Sequence, residues 1–219
     1  LNRGITDYNY TSLNLPGVIT FSNGTQLDYD YERQTGVKLK KRFVNGAIVQ
    51  TTDYVDGIEY EAVTGSAPQL SIIHTEEGRI RKSAGDYIYE YDLKDHLGNV
   101  RVTVQYDTNG DSTKVVQENS YYAFGMDMPG MGFVFGDENK YLYNGKEIQP
   151  ELFGQYDYGA RFYDPAIGRW NVPDPLAEIF EDLSPYNYAL NNAVRFVDPD
   201  GLGVADSVKK PQPMRKSPT

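Results

Sequence analysis

The chain has 219 residues, 39% hydrophobic and 13% aromatic, with no cysteine and a formal net charge of −10. That length can bury a real core, and the aromatic load is too heavy for a disordered acidic chain. Zero cysteines exclude disulfides and thiolate metal sites, the acidic balance argues against a nucleic-acid backbone or an anionic membrane as main partner, and no run of about 18 apolar residues is present to span a membrane. The first residues, LNRGITDYNY, do not resemble a signal peptide. Most unusual are the 19 Tyr, which stand beside 21 Gly where Leu and Ala ordinarily lead.

Tyr lies next to Asp in eleven places, from Asp7-Tyr8 and Asp28-Tyr29-Asp30-Tyr31 through Tyr91-Asp92 and Tyr106-Asp107 to Tyr163-Asp164. Several of these pairs reach a Gly a few residues on, as Tyr54 reaches Gly57 and Tyr91-Asp92 reaches Gly98. An aromatic strand residue, an Asp that bonds its own backbone and a Gly that takes positive φ together make a strand and its turn. The recurrence predicts a degenerate strand-and-turn repeat without a strict period. Tyr87 to Tyr91 form one β-rich run, and Val100, Val102, Val104 and Tyr106 alternate with Arg101, Thr103 and Gln105 as a half-buried strand with one polar face. A turn at Asn109-Gly110-Asp111 leads into a strand from Lys114 to Tyr122. The segment Phe124 to Gly136, rich in Gly and Met, reads as a loop with Met as adaptable packing.

Beyond residue 140 the pattern changes. Asp174-Pro175 is an N-cap with Pro at the first helical position, and Leu176, Ile179, Phe180 and Leu183 mark one face of a short helix. Ser184-Pro185 repeats that signal before a second short segment, Tyr186 to Asn192, and Asp198-Pro199-Asp200-Gly201 is a firm turn. From Gly203 the composition turns basic, with four Lys or Arg against one Asp, which predicts a flexible tail over 203–219.

Three blocks, YLYNGKE (141–147), YDYGARFYDPAIGRWNVPDPLAE (156–178) and SPYNYALNNAVRFVDPDGL (184–202), closely resemble the Rhs-repeat-associated core domain. Upstream, YEYDLKDHLGNVRVTV (89–104) resembles the strand unit that precedes such cores, and the Tyr-Asp-Gly pattern resembles tyrosine–aspartate (YD) repeats. The phrasing is similar to the form found in Bacteroidetes. The resemblance implies a mainly β fold: a spiral antiparallel YD-repeat sheet over 1–140, a shell segment, ending in a core plug with a few short helices over 141–202. It also implies a hollow shell that seals a variable C-terminal toxin, and an aspartyl autoprotease that cuts after the Asp-Pro-x-Gly-Leu turn, here between Leu202 and Gly203.

Two carboxylates in contact can share a proton and serve as general base and acid. Asp174 matches the family's first catalytic Asp, but Pro173 stands where active members have Arg, and Asn187 aligns with the second Asp, with Asp182 out of register. A plain helix cap accounts for Asp174, and turn chemistry for Asp198 and Asp200. Arg161 and Arg169 suit stacking on a ring or pairing with Asp, and Trp170 suits the core. His74 and His96 are far apart with no ligand cluster, His96 suiting a structural hydrogen bond, so no metal and no cofactor is expected. Catalysis on an external substrate has no sequence support. The reading that follows is structural: the C-terminal part of an Rhs shell that encloses or presents a cargo such as a polymorphic toxin. Its expected partners are further YD repeats or another protein chain on open sheet edges, with a secretion or adhesion apparatus conceivable. The expected location is secreted or at the cell surface. The alternatives are self-cleavage after Leu202 and a surface adhesion or carbohydrate-binding role.

Overall fold

A computed structural model of the chain describes residues 4–83, 85–107, 112–179 and 182–206. Twelve strands form one antiparallel sheet in which every strand pairs with its neighbours in sequence. They are β1 (Ile5–Tyr10), β2 (Pro16–Phe21), β3 (Gln26–Tyr31), β4 (Lys38–Asn45), β5 (Ala47–Val55), β6 (Ile58–Val63), β7 (Gln69–Thr75), β8 (Gly78–Ser83), β9 (Asp86–Lys94), β10 (Val100–Asp107), β11 (Ser112–Glu118) and β12 (Phe133–Val134). Such a meander follows from the strand-and-turn unit. Val55 pairs with Ile58 across Asp56 (φ 47°) and Gly57 (φ 78°), a two-residue loop with both centres left-handed, which the Asp-Gly pair favours. The strands expected at 87–91 and 100–106 are β9 and β10, and the one expected from Lys114 to Tyr122 is β11, which begins at Ser112 and ends at Glu118, while the turn expected at Asn109-Gly110-Asp111 lies outside the described residues.

β1 and β12 stand at the two ends of the sheet, so it is open. Its two faces differ. On one, Val55, Ile58, Ile73, Ile80 and Tyr89 stand opposite one another in successive strands, and Tyr87, Tyr89 and Tyr91 of β9 are 54%, 52% and 43% exposed. The other face is covered, and over β4 to β11 it is polar: Lys41, Thr52, Glu59, Arg79, Glu90, Thr103 and Gln117 are all buried there. From Val102 to Tyr106 of β10 it is therefore the polar side that turns inward, while Val100, before a register shift, is itself fully buried. Thr103 is fully buried and donates to Asp92 Oδ1 at 2.7 Å, whereas Tyr106 is exposed.

The cover is the C-terminal third of the chain. It forms a small sheet of β13 (Glu147–Gln149), β14 (Gln155–Asp157), β15 (Phe162–Asp164) and β16 (Arg169–Trp170), then a pair of β17 (Phe196–Val197) and β18 (Ala205–Asp206). Tyr143, Tyr156, Tyr158, Tyr163, Trp170 and Tyr188 pack there as one aromatic core, with Tyr163 and Tyr188 rings 4.2 Å apart. A second cluster, Ile19, Leu27 and Tyr29 of the large sheet with Leu152 and Phe162, joins cover to sheet at the β2–β3 end. Among the described residues no helix is long and apolar enough to cross a membrane.

The short helices expected in this region shrink to single 3-10 turns. Among the described residues of 174–183 only Ala177–Ile179 is helical, and Asp174 Oδ1 accepts the Leu176 N–H at 2.8 Å in a local turn; Phe180 and Glu181 lie outside the described residues. At 186–192 the turn is left-handed, with φ of 49°, 54° and 58° at Ala189, Leu190 and Asn191. Tyr188 and Ala189 are both fully buried in the aromatic core, and that packing offsets the cost of about 1–2 kcal/mol per left-handed residue. Of the tail expected over 203–219, residues 203–206 are described, and there Val197 pairs with Ala205 and Phe196 with Asp206.

Candidate functional site

Two polar assemblies distinguish the covered side. The first is a seam of charges between the large sheet and the strap 137–157. Arg79 of β8 donates from Nε to Glu90 at 2.6 Å and from its two terminal nitrogens to the carbonyls of Asp137 (2.8 Å) and Glu138 (2.9 Å). Arg81 joins Glu90 to the Asp137 carboxylate. Farther along, Lys41 reaches Gln149 (2.8 Å) and Glu151 (2.9 Å), and Lys38 binds both Glu147 and Asp157, the latter at 2.7 Å. Glu59 accepts from the Tyr141 hydroxyl at 2.7 Å and contacts His74 Nε2 at 2.6 Å. Asn139 closes the far end, its N–H donating to Gln117 Oε1 at 2.7 Å and its amide to Asp92 at 3.1 Å.

Paired charges make this burial tolerable. Burial alone would raise the Glu147 carboxyl, but Lys38 and Lys41 hold it below the usual carboxylate range. Burial likewise opposes charge on Lys38, and Asp157 and Glu147 override it, so its ammonium stays charged well above the ordinary lysine range. A cavity of about 370 Å³ remains between strap and sheet, lined by Lys41, Thr52, Glu61, Arg79, Lys140 and Glu151 among others.

The second assembly surrounds Arg161, which is 1% exposed and lies 4.2 Å over the Trp170 ring. One terminal nitrogen bridges Asp174 (2.9 Å) and Asp198 (3.1 Å), while Nε donates to the Gly201 carbonyl at 2.5 Å. Asp198 is 1% exposed, and its Oδ1 accepts the N–H groups of Gly201 (2.9 Å) and Gly203 (3.1 Å). Asp200 Oδ1 accepts from Leu202 N at 3.1 Å. Burial pushes the Asp198 carboxyl up to about 6, against the pull of Gly203 N–H and Arg161. A cleft of about 20 Å³, room for roughly one water, opens beside Gly203 between Asp174, Ser184, Asn187 and Asp198.

The sequence-derived site thus assembles around Arg161, which both pairs with Asp and stacks on a ring. Asp174, Asp198, Pro199, Asp200, Gly201, Leu202 and Gly203 converge on it or on its turn. The partner carboxylate beside Asp174 is Asp198, which the sequence reading assigned to the turn alone; Asn187 lines the same cleft and bridges to Arg169. Arg169 itself holds Asn191 Oδ1 at 2.8 Å. Trp170 is core, 2% exposed, and His96 Nε2 contacts the Val194 carbonyl at 3.1 Å. Sequence reasoning missed the seam entirely. Its strap and sheet partners lie from 22 to 119 residues apart, and the one available signal was charge at inward positions of strands, as at Lys41, Glu59 and Arg79. Among the described residues no group of three or more His, Asp or Glu is placed to hold a metal ion.

No family profile matches the chain. Toxin subunit YenC2 of Yersinia entomophaga is 27% identical over 198 residues, 81% of this chain and 19% of that protein. Salivary gland surface protein 1 of Aedes aegypti is 36% identical over 109 residues, 50% of this chain and 3% of that protein. Among solved structures, TcdB2-TccC3 superposes with a TM-score of 0.74 at 22% identity, and the Photorhabdus luminescens Tc holotoxin pore with 0.75 at 21%; each likeness covers 91% of this chain and 10% of the other. The chain therefore spans about a fifth or less of the curated relatives and a tenth of the structures it matches.

Proposed function

We propose that this chain is an Rhs/YD-repeat wall segment of a hollow shell, a reading its toxin-subunit relatives and structural neighbours support, whose strap and Arg161 clasp anchor whatever polypeptide follows Gly203. The observation that carries this reading is the open twelve-stranded meander with one face pinned by the strap. An open end leaves a row of backbone donors and acceptors unpaired, which a further strand satisfies. Preceding YD repeats of a longer chain, or another protein chain, would pair at β1. The clasp ties the departing chain to the plug through the Gly203 N–H, the Gly201 carbonyl and the β17–β18 pair. A toxin held inside and delivered outside the producing cell fits the toxin-subunit relatives. The test is hydrogen exchange at the β1 amides, in this chain alone and in a longer natural polypeptide with its upstream repeats. Shell continuation expects those amides to exchange quickly in the short chain and at least tenfold more slowly in the long one; equal rates in both contradict it.

A second reading, self-cleavage at Leu202–Gly203, is favoured by one observation: a carboxyl raised to about 6 touches the Gly203 N–H beside a cleft of about one water. In it Asp198 and Asp174 would act on the water and the departing amine, and Arg161 would have to leave its bridging position for the two carboxyls to share a proton. Intact-mass measurement of the purified protein separates the readings. A fragment ending at Leu202 that disappears in Asp174→Asn supports cleavage, and an uncut chain after prolonged incubation at pH 5 to 7 rules it out.

A further inference from the structure

The segment between β11 and β12 carries chemistry that neither the seam nor the clasp uses. Three of the four methionines of the chain, Met126, Met128 and Met131, fall within six residues. Methionine ordinarily fills gaps in a core, but here Met126 is 40% and Met131 61% exposed, and Met128 is half-buried. Packing therefore does not explain them.

The backbone brings the three together. Asp127 forms an antiparallel bridge with Tyr121, flanked by hydrogen bonds from Tyr122 N to the Met126 carbonyl and from Met128 N to the Ser120 carbonyl, both 2.8 Å. In such an extended stretch residues two apart share a face, so Met126 and Met128 lie on one side about 7 Å apart at Cα. The next four residues, Met128-Pro129-Gly130-Met131, form a turn closed by the Met131 N–H to the Met128 carbonyl at 3.1 Å. Gly130 has φ 76° and Pro129 precedes it, the signature of a type II turn, whose end Cα atoms are within about 7 Å. Met128 is thus a near neighbour of both others, and three rotatable bonds in each side chain let the sulfurs converge.

Thioethers are neutral and soft. They discriminate against hard cations such as Ca²⁺ and Mg²⁺, which require oxygen ligands, and favour Cu(I). A net charge of −10 draws cations to the surface. We propose that Met126, Met128 and Met131 form a three-thioether site for one soft monovalent cation of the Cu(I) class. The site faces solvent beside the end of the large sheet and is independent of the shell reading.

Silver nitrate serves as the redox-inert probe, read by the methyl resonances of protein labelled with ¹³C at the methionine methyls. Met126, Met128 and Met131 are expected to shift together and saturate at one Ag(I) per chain, with Met214 unmoved and Ca²⁺ without effect. Met128→Leu, nearly volume-conserving, is expected to weaken binding at least tenfold while the far-ultraviolet circular dichroism stays that of the unsubstituted protein. No shift at a tenfold excess of Ag(I), or an equal shift of all four methionines, overturns the proposal. So does unchanged binding in the triple variant M126L/M128L/M131L. Cu(I) retained against a competing chelator by the unsubstituted chain and lost by the triple variant supports the Cu(I) assignment, and failure to retain it overturns that assignment.

Discussion

Arg161 shows how much depends on one side chain. Its guanidinium neutralises two carboxylates, caps the Gly201 carbonyl and stacks on Trp170 with almost no access to water. Arg161→Ala leaves Asp198 buried without its counter-charge, a change that costs about 3–5 kcal/mol; urea unfolding followed by the fluorescence of Trp170 reads that loss directly. Asp198 and Glu147 respond to pH with opposite signs. The Asp198 carboxyl moves from 3.8 to about 6 on folding, so the native state binds the extra proton and the group destabilises the fold as pH rises from about 4 to 7, by about 3 kcal/mol at most. Asp198→Asn is expected to flatten the pH dependence of the urea midpoint across that interval. Glu147 is held below the usual carboxylate range by Lys38 and Lys41, so its contribution is present above about 4.5 and is lost as pH falls through its lower native value. Much of this was open to sequence reading: Arg161 could pair with Asp or stack on a ring, and it does both. That Asp198 rather than position 187 or 182 would face Asp174 was not, because an Asp-Pro-Asp-Gly turn gives the same local signal whether its first Asp is exposed or buried.

Among elements, the strands of the large sheet were legible because Tyr-Asp-Gly and Val alternation are local signals. The 3-10 turns were not, since Asp174-Pro175 reads as a helix start while burial of Tyr188 and Ala189 in the aromatic core decides the actual backbone. Tyrosine also divides its roles in a way composition conceals. In β9 it lies half open to solvent on the free face, whereas Tyr143, Tyr156, Tyr158, Tyr163 and Tyr188 build the interior of the C-terminal cover, where leucine would be usual. The strap is held chiefly by charge. Lys38 alone binds Glu147 of β13 and Asp157 of β14, so Lys38→Met leaves two carboxylates without their shared cation. The expected outcome is faster hydrogen exchange in β13 and β14 by tenfold or more, with β8 to β10 little changed. Equal acceleration throughout would mean that strap and sheet open as one unit and that the seam is not a separate latch.

At the scale of the whole molecule, the −10 charge resolves into an acidic body, through Leu202, and a basic segment after it, and the clasp sits where the two meet. The fold is an open sheet with one face pinned, and its structural neighbours are far longer chains, of which it matches a tenth. The cavity of about 370 Å³ between strap and sheet is lined by charged side chains, among them the Lys41–Glu151 and Arg81–Asp137 pairs. We propose a container that grips its contents at the exit. Protease protection tests that claim most directly. In a longer natural polypeptide with its upstream repeats, the segment after Gly203 is expected to survive an added broad-specificity protease that digests it in the 219-residue chain. Digestion of that segment at the same rate in both would contradict the account.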